Sequence, residues 1–196
     1  MKIEELDQSQ YREQDVTVTW RTAFQSGFAS VLPPVAVCGV LNLILRGLPK
    51  WDLQIMAERF YLVIFLSLLC LGLVVAVTML GFVLSCGNNY GVIKKAVSHK
   101  YQGQIFYCNA LVKVKRYRLI AILPFIISGI LPLVLALIVG DIILITSTSF
   151  LVLCLSPNVY VFTRFAEFPP DALIADSKTH IGGTVYTSIV KESGSA

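Results

Sequence analysis

The chain has 196 residues, of which 56% are hydrophobic and only 14% are charged, whereas about a quarter of the residues in soluble domains are charged. The net charge of +4 is modest, so it indicates no polyanionic partner, and we expect no nucleic-acid binding. Asp, Glu, Lys, Arg and His are all missing from three long stretches, Arg59 to Lys94, Arg118 to Asp141 and Asp141 to Arg164. Runs of about 20 apolar residues can cross a ~30 Å hydrocarbon core as helices, and this excludes an ordinary soluble domain.

The first 26 residues form a polar and acidic segment. Residues 15–20 alternate in polarity, which predicts a short strand or an interfacial turn. Because the segment lacks a basic start, it does not resemble a signal peptide. The apolar stretch that follows is therefore expected to remain in the membrane as an anchor.

A transmembrane helical domain is predicted over residues 27–163. Pro33 and Pro34 fall near the start of its first span, where a proline costs least because the missing N–H has no helical partner. The alternative is a kinked or re-entrant entry. Gly140 and Asp141 leave only a tight turn between the last two spans. The predicted spans are residues 28–45, 60–84, 119–139 and 142–162.

The long loop between the second and third spans is predicted over residues 85–118. Alternation at 104–107 and 112–115 predicts a short β-like hairpin at the membrane surface. The loop has no acidic residue, and its basic residues are Lys94, Lys95, Lys100, Lys113, Lys115, Arg116 and Arg118. Such a loop is typical of the cytoplasmic side, and it favours anionic lipid headgroups by about 1 kcal/mol per basic residue.

Four spans then place both termini in the cytoplasm of a multi-pass cell-membrane protein, with residues 164–196 as a cytoplasmic C-terminal tail. All Lys and Arg residues except Arg46, Lys50 and Arg59 would lie on that side. The five cysteines form no CxxC pair and are expected to be unpaired small hydrophobes. Asp141 is expected to be a turn residue rather than a proton relay. The polar run at 146–149 is expected to make helix–helix contacts rather than to line a pore.

Several stretches between residues 60 and 187 follow one another in a recognisable order. An apolar helix leads into a glycine-containing loop at 74–92, KRYRLIAILPFI follows at 115–126, and PDALIAD at 170–176 precedes HIGGTVY at 180–186. In order and spacing, these stretches resemble the zincin-peptidase family, bacterial integral membrane proteins with a site-2-protease-like layout. The resemblance implies a catalytic zinc held by His-Glu-x-x-His in a membrane helix and by an Asp in a later span.

The zinc ligands that the resemblance implies are missing from this sequence. Two histidines four residues apart lie on one helix face and hold zinc, while the glutamate between them activates water. The matching stretch here is AVTMLG at 76–81, and the later aspartate is matched by an asparagine without negative charge. We therefore expect no catalytic residue and no cofactor. The degenerate metal-site region comprises Ala76, Val77, Thr78, Met79, Leu80 and Asn158.

The favoured hypothesis is a non-catalytic binding or regulatory membrane protein, a pseudoenzyme on a zincin-like scaffold. Its expected partners are the lipid bilayer and its anionic headgroups, together with another membrane protein or a second copy of the chain. One alternative is an active metallopeptidase with unconventional ligands, drawn from His99, His180, Cys86, Cys108 and Asp176. Another alternative is a small transporter or channel subunit.

Overall fold

The computed structural model describes residues 10–47, 53–85, 93–95, 106–108, 110–177 and 180–189. The fold is mainly α, as predicted, with three helical units long and apolar enough to cross a membrane and a bent pair that makes up to four. The helices are α1 (Trp20–Arg46), α2 (Leu53–Ser85), α3 (Val114–Phe125), α4 (Leu131–Val139), α5 (Ile142–Cys154) and α6 (Ser156–Ala166).

The helices expose large apolar side chains around the outside of the bundle. Leu45 is 80% exposed, Ile44 73% and Ile138 70%. Contiguous apolar surface of this extent is rare on soluble monomers. In the hydrocarbon core of a bilayer, such side chains can face lipid without cost. A helix also satisfies its own backbone hydrogen bonds, as the bilayer requires. The surface is therefore that of a protein compatible with a membrane.

The first two helices are longer than the predicted spans. α1 begins at Trp20 because Thr19 is its N-cap, with the Thr22 N–H 3.3 Å from the Thr19 hydroxyl. The prediction that Pro33 and Pro34 occupy the first turn is therefore wrong, since both lie inside α1. α2 begins at Leu53, seven residues before its predicted start.

The third span also begins earlier than predicted. α3 starts at Val114, so Lys115, Arg116 and Arg118 lie in a helix and not in the loop. After α3, Ile126–Ile130 form a π-helical turn, and the Leu131 N–H bonds to the carbonyl of Ile126. A proline ring clashes with the carbonyl four residues before it, so the wide turn relieves the conflict that Pro132 would create in a regular helix.

The turn between α4 and α5 is confirmed at the predicted residues. Gly140 has φ 75° and its N–H bonds to the carbonyl of Ala136; a glycine adopts this left-handed conformation without the Cβ penalty. The Asp141 carboxylate accepts hydrogen bonds from the N–H groups of Ile143 (2.9 Å) and Leu144 (3.2 Å). Asp141 is thus the N-cap of α5, which confirms its interpretation as a turn residue.

The predicted fourth span over 142–162 is a bent pair of helices and not one straight helix. The helix breaks at Leu155, and the axes of α5 and α6 differ by 41°. Pro157 is in the first turn of α6, where its missing N–H costs nothing. Pro157 therefore marks the start of the second helix of the pair.

Strands from distant parts of the chain form a four-stranded antiparallel sheet at one end of the bundle. Its order is β1-β6-β5-β4, with Asp15 opposite Thr184 and Val112 opposite Ile174. The C-terminal tail is therefore an integral part of the fold as far as Ile189, and residues 192–196 lie outside the described chain. The strands are β1 (Tyr11–Asp15), β4 (Val112–Lys113), β5 (Leu173–Asp176) and β6 (Gly183–Ser188).

The predicted hairpin exists but pairs different strands. β2 (Ile93–Lys95) pairs with β3 (Phe106–Cys108), whereas 112–115 were expected to supply the second strand. Residues 112–113 instead pair with β5, and the chain enters α3 directly afterwards. The predicted strand or turn at 15–20 is placed slightly too late, since β1 ends at Asp15 and Val18 forms only an isolated bridge to Ile181.

The two larger apolar cores of the described residues lie at the sheet end and in the middle of the bundle. One lies between the sheet and the adjoining helix ends, and its largest fully buried side chain is Phe165. The other lies in the middle of the bundle, where Val31, Phe125, Leu133 and Val152 meet. Three helical units that contain prolines therefore converge on an apolar cluster.

Candidate functional site

The degenerate metal-site region of α2 lies beside a close helix contact. The Thr78 hydroxyl donates to the carbonyl of Val74 (2.8 Å) within its own helix. At Gly81, an added Cβ would lie 2.8 Å from Ile120 Cγ1 on α3, and Phe82 is buried. This end of α2 packs tightly on α3, and its side chains at 76–80 offer no imidazole, thiolate or carboxylate.

Asn158 lies in a different packing environment, on α6. Its backbone N–H donates to the carbonyl of Leu155 (3.1 Å), and Leu155 and Val159 pack against the central apolar core. The preceding turn presses on α1, since a Cβ at Gly27 would lie 2.2 Å from the Ser156 carbonyl oxygen. Asn158 therefore lies on a helix whose first turn contacts α1, whereas residues 76–80 belong to a helix that packs on α3.

A polar cluster at the sheet end brings together two residues of the alternative zinc set. Asp176 accepts hydrogen bonds from the Cys108 N–H and from the Tyr117 hydroxyl, both at 3.0 Å. The carboxylate thus ties β3, α3 and β5 together. In the described part of the chain, no group of three or more His, Cys, Asp or Glu residues is placed to hold a metal. Cys86 and His99 lie outside that part.

Two side chains of the sheet, Asp15 and Tyr186, have pKa values that differ from their ordinary values. The backbone N–H of Thr17, 2.9 Å from the carboxylate, is the main cause that lowers the pKa of Asp15, helped by the Thr17 hydroxyl and, more weakly, by His180. On the neighbouring strand, burial raises the pKa of Tyr186, and the carboxylate of Glu13 adds to the rise. Both pKa shifts therefore follow from local contacts at the sheet and do not indicate a catalytic site.

The basic residues predicted to face lipid headgroups divide into two kinds. Arg118 donates to the carbonyls of Phe165 (2.7 Å) and Phe168 at the end of α6, and Arg116 donates to Ser85 (3.2 Å) at the end of α2. These two side chains cap helix ends, which corrects the prediction that they belong to a surface loop. Lys113 and Lys115 are exposed at the sheet end. Lys94 and Lys95 lie in β2, and Lys100 lies outside the described residues.

A lateral groove of about 350 Å³ lies at the end of the bundle opposite the sheet. α2 contributes one wall from Val63 to Leu73, and α4 and α5 contribute the others. Four of the lining residues have small polar side chains, and none is charged: these four are Ser67, Cys70, Ser147 and Thr148. The groove includes neither residues 76–80 nor Asn158. The predicted metal-site residues are thus not part of the lateral groove.

Arg46 contacts the end of α4 next to this groove. Its Nη2 donates to the carbonyls of Leu137 (3.1 Å) and Ile138 (3.2 Å), and its Nη1 to Val139 (3.3 Å). Val139 also lines the groove. Arg46 caps the C-terminal end of α4 and remains exposed. Sequence reasoning used Arg46 only to predict topology and missed its capping of α4. Its hydrogen-bond partners lie more than 90 residues away along the chain, so no local pattern reveals them.

No protein-family model, curated protein or solved structure matches this chain. The resemblance to the zincin peptidases therefore stays a prediction.

Proposed function

We propose that this chain is a non-catalytic protein of the cell membrane that binds a ligand or partner within the bilayer. The lateral groove between α2, α4 and α5 is the observation that carries this proposal. Its volume of about 350 Å³ is within the usual range for ligand pockets. Because the helices around it expose apolar side chains, its occupant enters from hydrocarbon rather than from water.

The donor atoms at the zincin-like positions support a non-catalytic function. Structural and catalytic zinc sites use imidazole, thiolate and carboxylate ligands. Ala76, Val77, Met79 and Leu80 have none of these groups, and the Thr78 hydroxyl donates to Val74. Asn158 is on a helix that packs against α1. The residues at these positions do not fit a zinc ion, so no hydrolytic step is assigned to them.

The hydroxyl groups of α5 favour a binding protein over a transporter or channel. Thr146, Ser147 and Thr148 donate to carbonyls one turn earlier in their own helix, at 2.7–2.8 Å. A water-lined path needs polar groups that face water, whereas the centre of the bundle is an apolar cluster. In this proposal, these hydroxyls are satisfied within α5 and contribute little to conduction.

In this proposal the sheet end faces the cytoplasm. The exposed Lys113 and Lys115 lie at that end, and basic residues are retained on the cytoplasmic side. They would also attract anionic headgroups.

An aliphatic amino acid with a diazirine group, smaller than phenylalanine, placed on α5 in the full-length protein tests binding in the groove. Position 147 lines the groove, whereas the adjacent Thr146 is exposed and does not. After irradiation of cell membranes, we expect a discrete adduct at 147 and only bulk lipid adducts at 146. Identical adducts at both positions would contradict the proposal.

Metal analysis of the same purified protein tests the absence of catalysis. We expect far less than one zinc per chain and no metal-dependent cleavage of membrane peptides. One chelatable zinc per chain, with cleavage lost on replacing His99 or His180, would restore the metallopeptidase hypothesis.

A further inference from the structure

The size of the lateral groove selects a slender occupant. An α-helix with its side chains is at least ~10 Å wide, or about 80 Å² in cross-section, so about 350 Å³ would hold only some three residues of a helix. The wall from Val63 to Leu73 extends about 15 Å along α2. A groove of about 350 Å³ along this length suits a slender, flexible chain better than a whole helix.

The two lining hydroxyls of α5 place no polar demand on an occupant of the groove. Ser147 donates its hydroxyl to the carbonyl of Ile143 (2.7 Å), and Thr148 donates to Leu144 (2.7 Å). Both hydroxyls are therefore satisfied within α5, and no lining residue is charged. A saturated or unsaturated hydrocarbon chain can fill such a space without burying an unpaired donor.

A cationic group lies where the polar end of such a chain would emerge. A guanidinium has five N–H donors, and three hydrogen bonds join Arg46 to the last carbonyls of α4. Two donors of Arg46 thus remain for an external acceptor. Arg46 is exposed and is adjacent to Val139, which lines the groove. Guanidinium groups bind phosphate through paired, charge-assisted hydrogen bonds.

We propose that the groove holds one acyl chain of a phospholipid whose phosphate binds Arg46. The inference rests on the proposed function and adds the chemistry of the occupant. The lipid belongs to the leaflet opposite the sheet, because Arg46 and Gly140 lie at that end of the bundle.

Labelling with two photoreactive lipids tests this inference on the full-length protein in nanodiscs. The probes are a phosphatidylglycerol and a diacylglycerol that carry the same diazirine acyl chain. In the wild type, we expect phosphatidylglycerol to label peptides of α2, α4 and α5 about tenfold more than diacylglycerol, since charge-assisted hydrogen bonds contribute at that level. Arg46→Gln should bring the two probes to equal labelling, and Arg164→Gln at the sheet end should leave their ratio unchanged.

The ratio of the two probes separates binding from folding, because a general loss of structure lowers both signals together. Ser147→Phe fills the groove and should abolish labelling of these peptides by both lipids, whereas Thr146→Phe should not. An unchanged ratio in Arg46→Gln, or equal labelling of the two phenylalanine variants, would overturn the inference. A polypeptide adduct at position 147 would overturn the lipid inference and leave the proposed function intact, while the absence of any discrete adduct would remove both.

Discussion

Asp15 illustrates how one exposed carboxyl group responds to its local hydrogen bonds. Its pKa is lowered chiefly by the Thr17 N–H, then by the Thr17 hydroxyl, and least by His180. A carboxyl whose folded pKa lies below the unfolded value of about 3.9 stabilises the fold above that pH. This stabilisation is lost as the pH falls through the lowered folded value.

The relative size of these causes gives a prediction at Thr17 and His180. Thr17→Val removes the hydroxyl and keeps the N–H, so the pKa of Asp15 should rise part of the way to its ordinary value. His180→Ala should raise it by less, because its contribution is the smaller one. Carboxyl-carbon NMR titration of Asp15 in detergent measures both. A larger rise in the histidine variant would show that the charge, and not the hydrogen bond, dominates.

Sequence reasoning succeeded where a residue's partners are close in sequence. Asp141 was predicted as a turn residue, and its partners are two and three residues away. Arg118 was assigned to a loop, and its partners lie 47 and 50 residues away. The capping by Arg118 depends on the end of α6 lying beside the start of α3, which no local pattern specifies.

The contact between α1 and α6 gives a prediction at the level of whole helices. Gly27→Ala would place a Cβ 2.2 Å from a backbone oxygen of Ser156, so the helices must separate, and overpacking of this kind costs about 1–3 kcal/mol. Gly39→Ala is the matched control on the same helix, since its Cβ meets nothing within 4 Å, and it should stabilise α1 by up to about 1 kcal/mol. Thermal unfolding of both variants in one detergent measures the difference. Equal melting temperatures would mean that α1 and α6 are not in close contact.

The helical spans were predictable, whereas their interruptions and the groove were not. Uninterrupted apolar runs identify membrane helices because the bilayer sets a minimum length. Pro132 signalled a disturbance, but whether a helix kinks, breaks or forms a π turn depends on packing against neighbours. The groove requires α2 to lie apart from α4 and α5, and this separation is a tertiary property. The family-like motifs pointed to Asn158 and residues 76–80, which the fold places in separate helix contacts.

At the scale of the whole molecule, the distribution of basic residues gives a prediction of topology. Arg46 lies at one end of the bundle, and the exposed Lys113, Lys115 and Arg21 lie at the sheet end. A green fluorescent protein fused after residue 196 should therefore fluoresce in the cytoplasm. Alkaline phosphatase inserted after Gly47 should be active outside it. Active phosphatase at the C-terminal fusion site would reverse the orientation.

The strand order has a consequence for the time at which the protein can finish folding. β1 lies between the start of the chain and α1, yet its partner β6 begins at Gly183, with Asp15 opposite Thr184. A ribosome adds about 5–20 residues per second, so β1 waits roughly 10–30 s for its partner while the helices enter the bilayer. During that interval its edge is open to other chains. The sheet can therefore be completed only when β6 has been made, after all the spans have been translated.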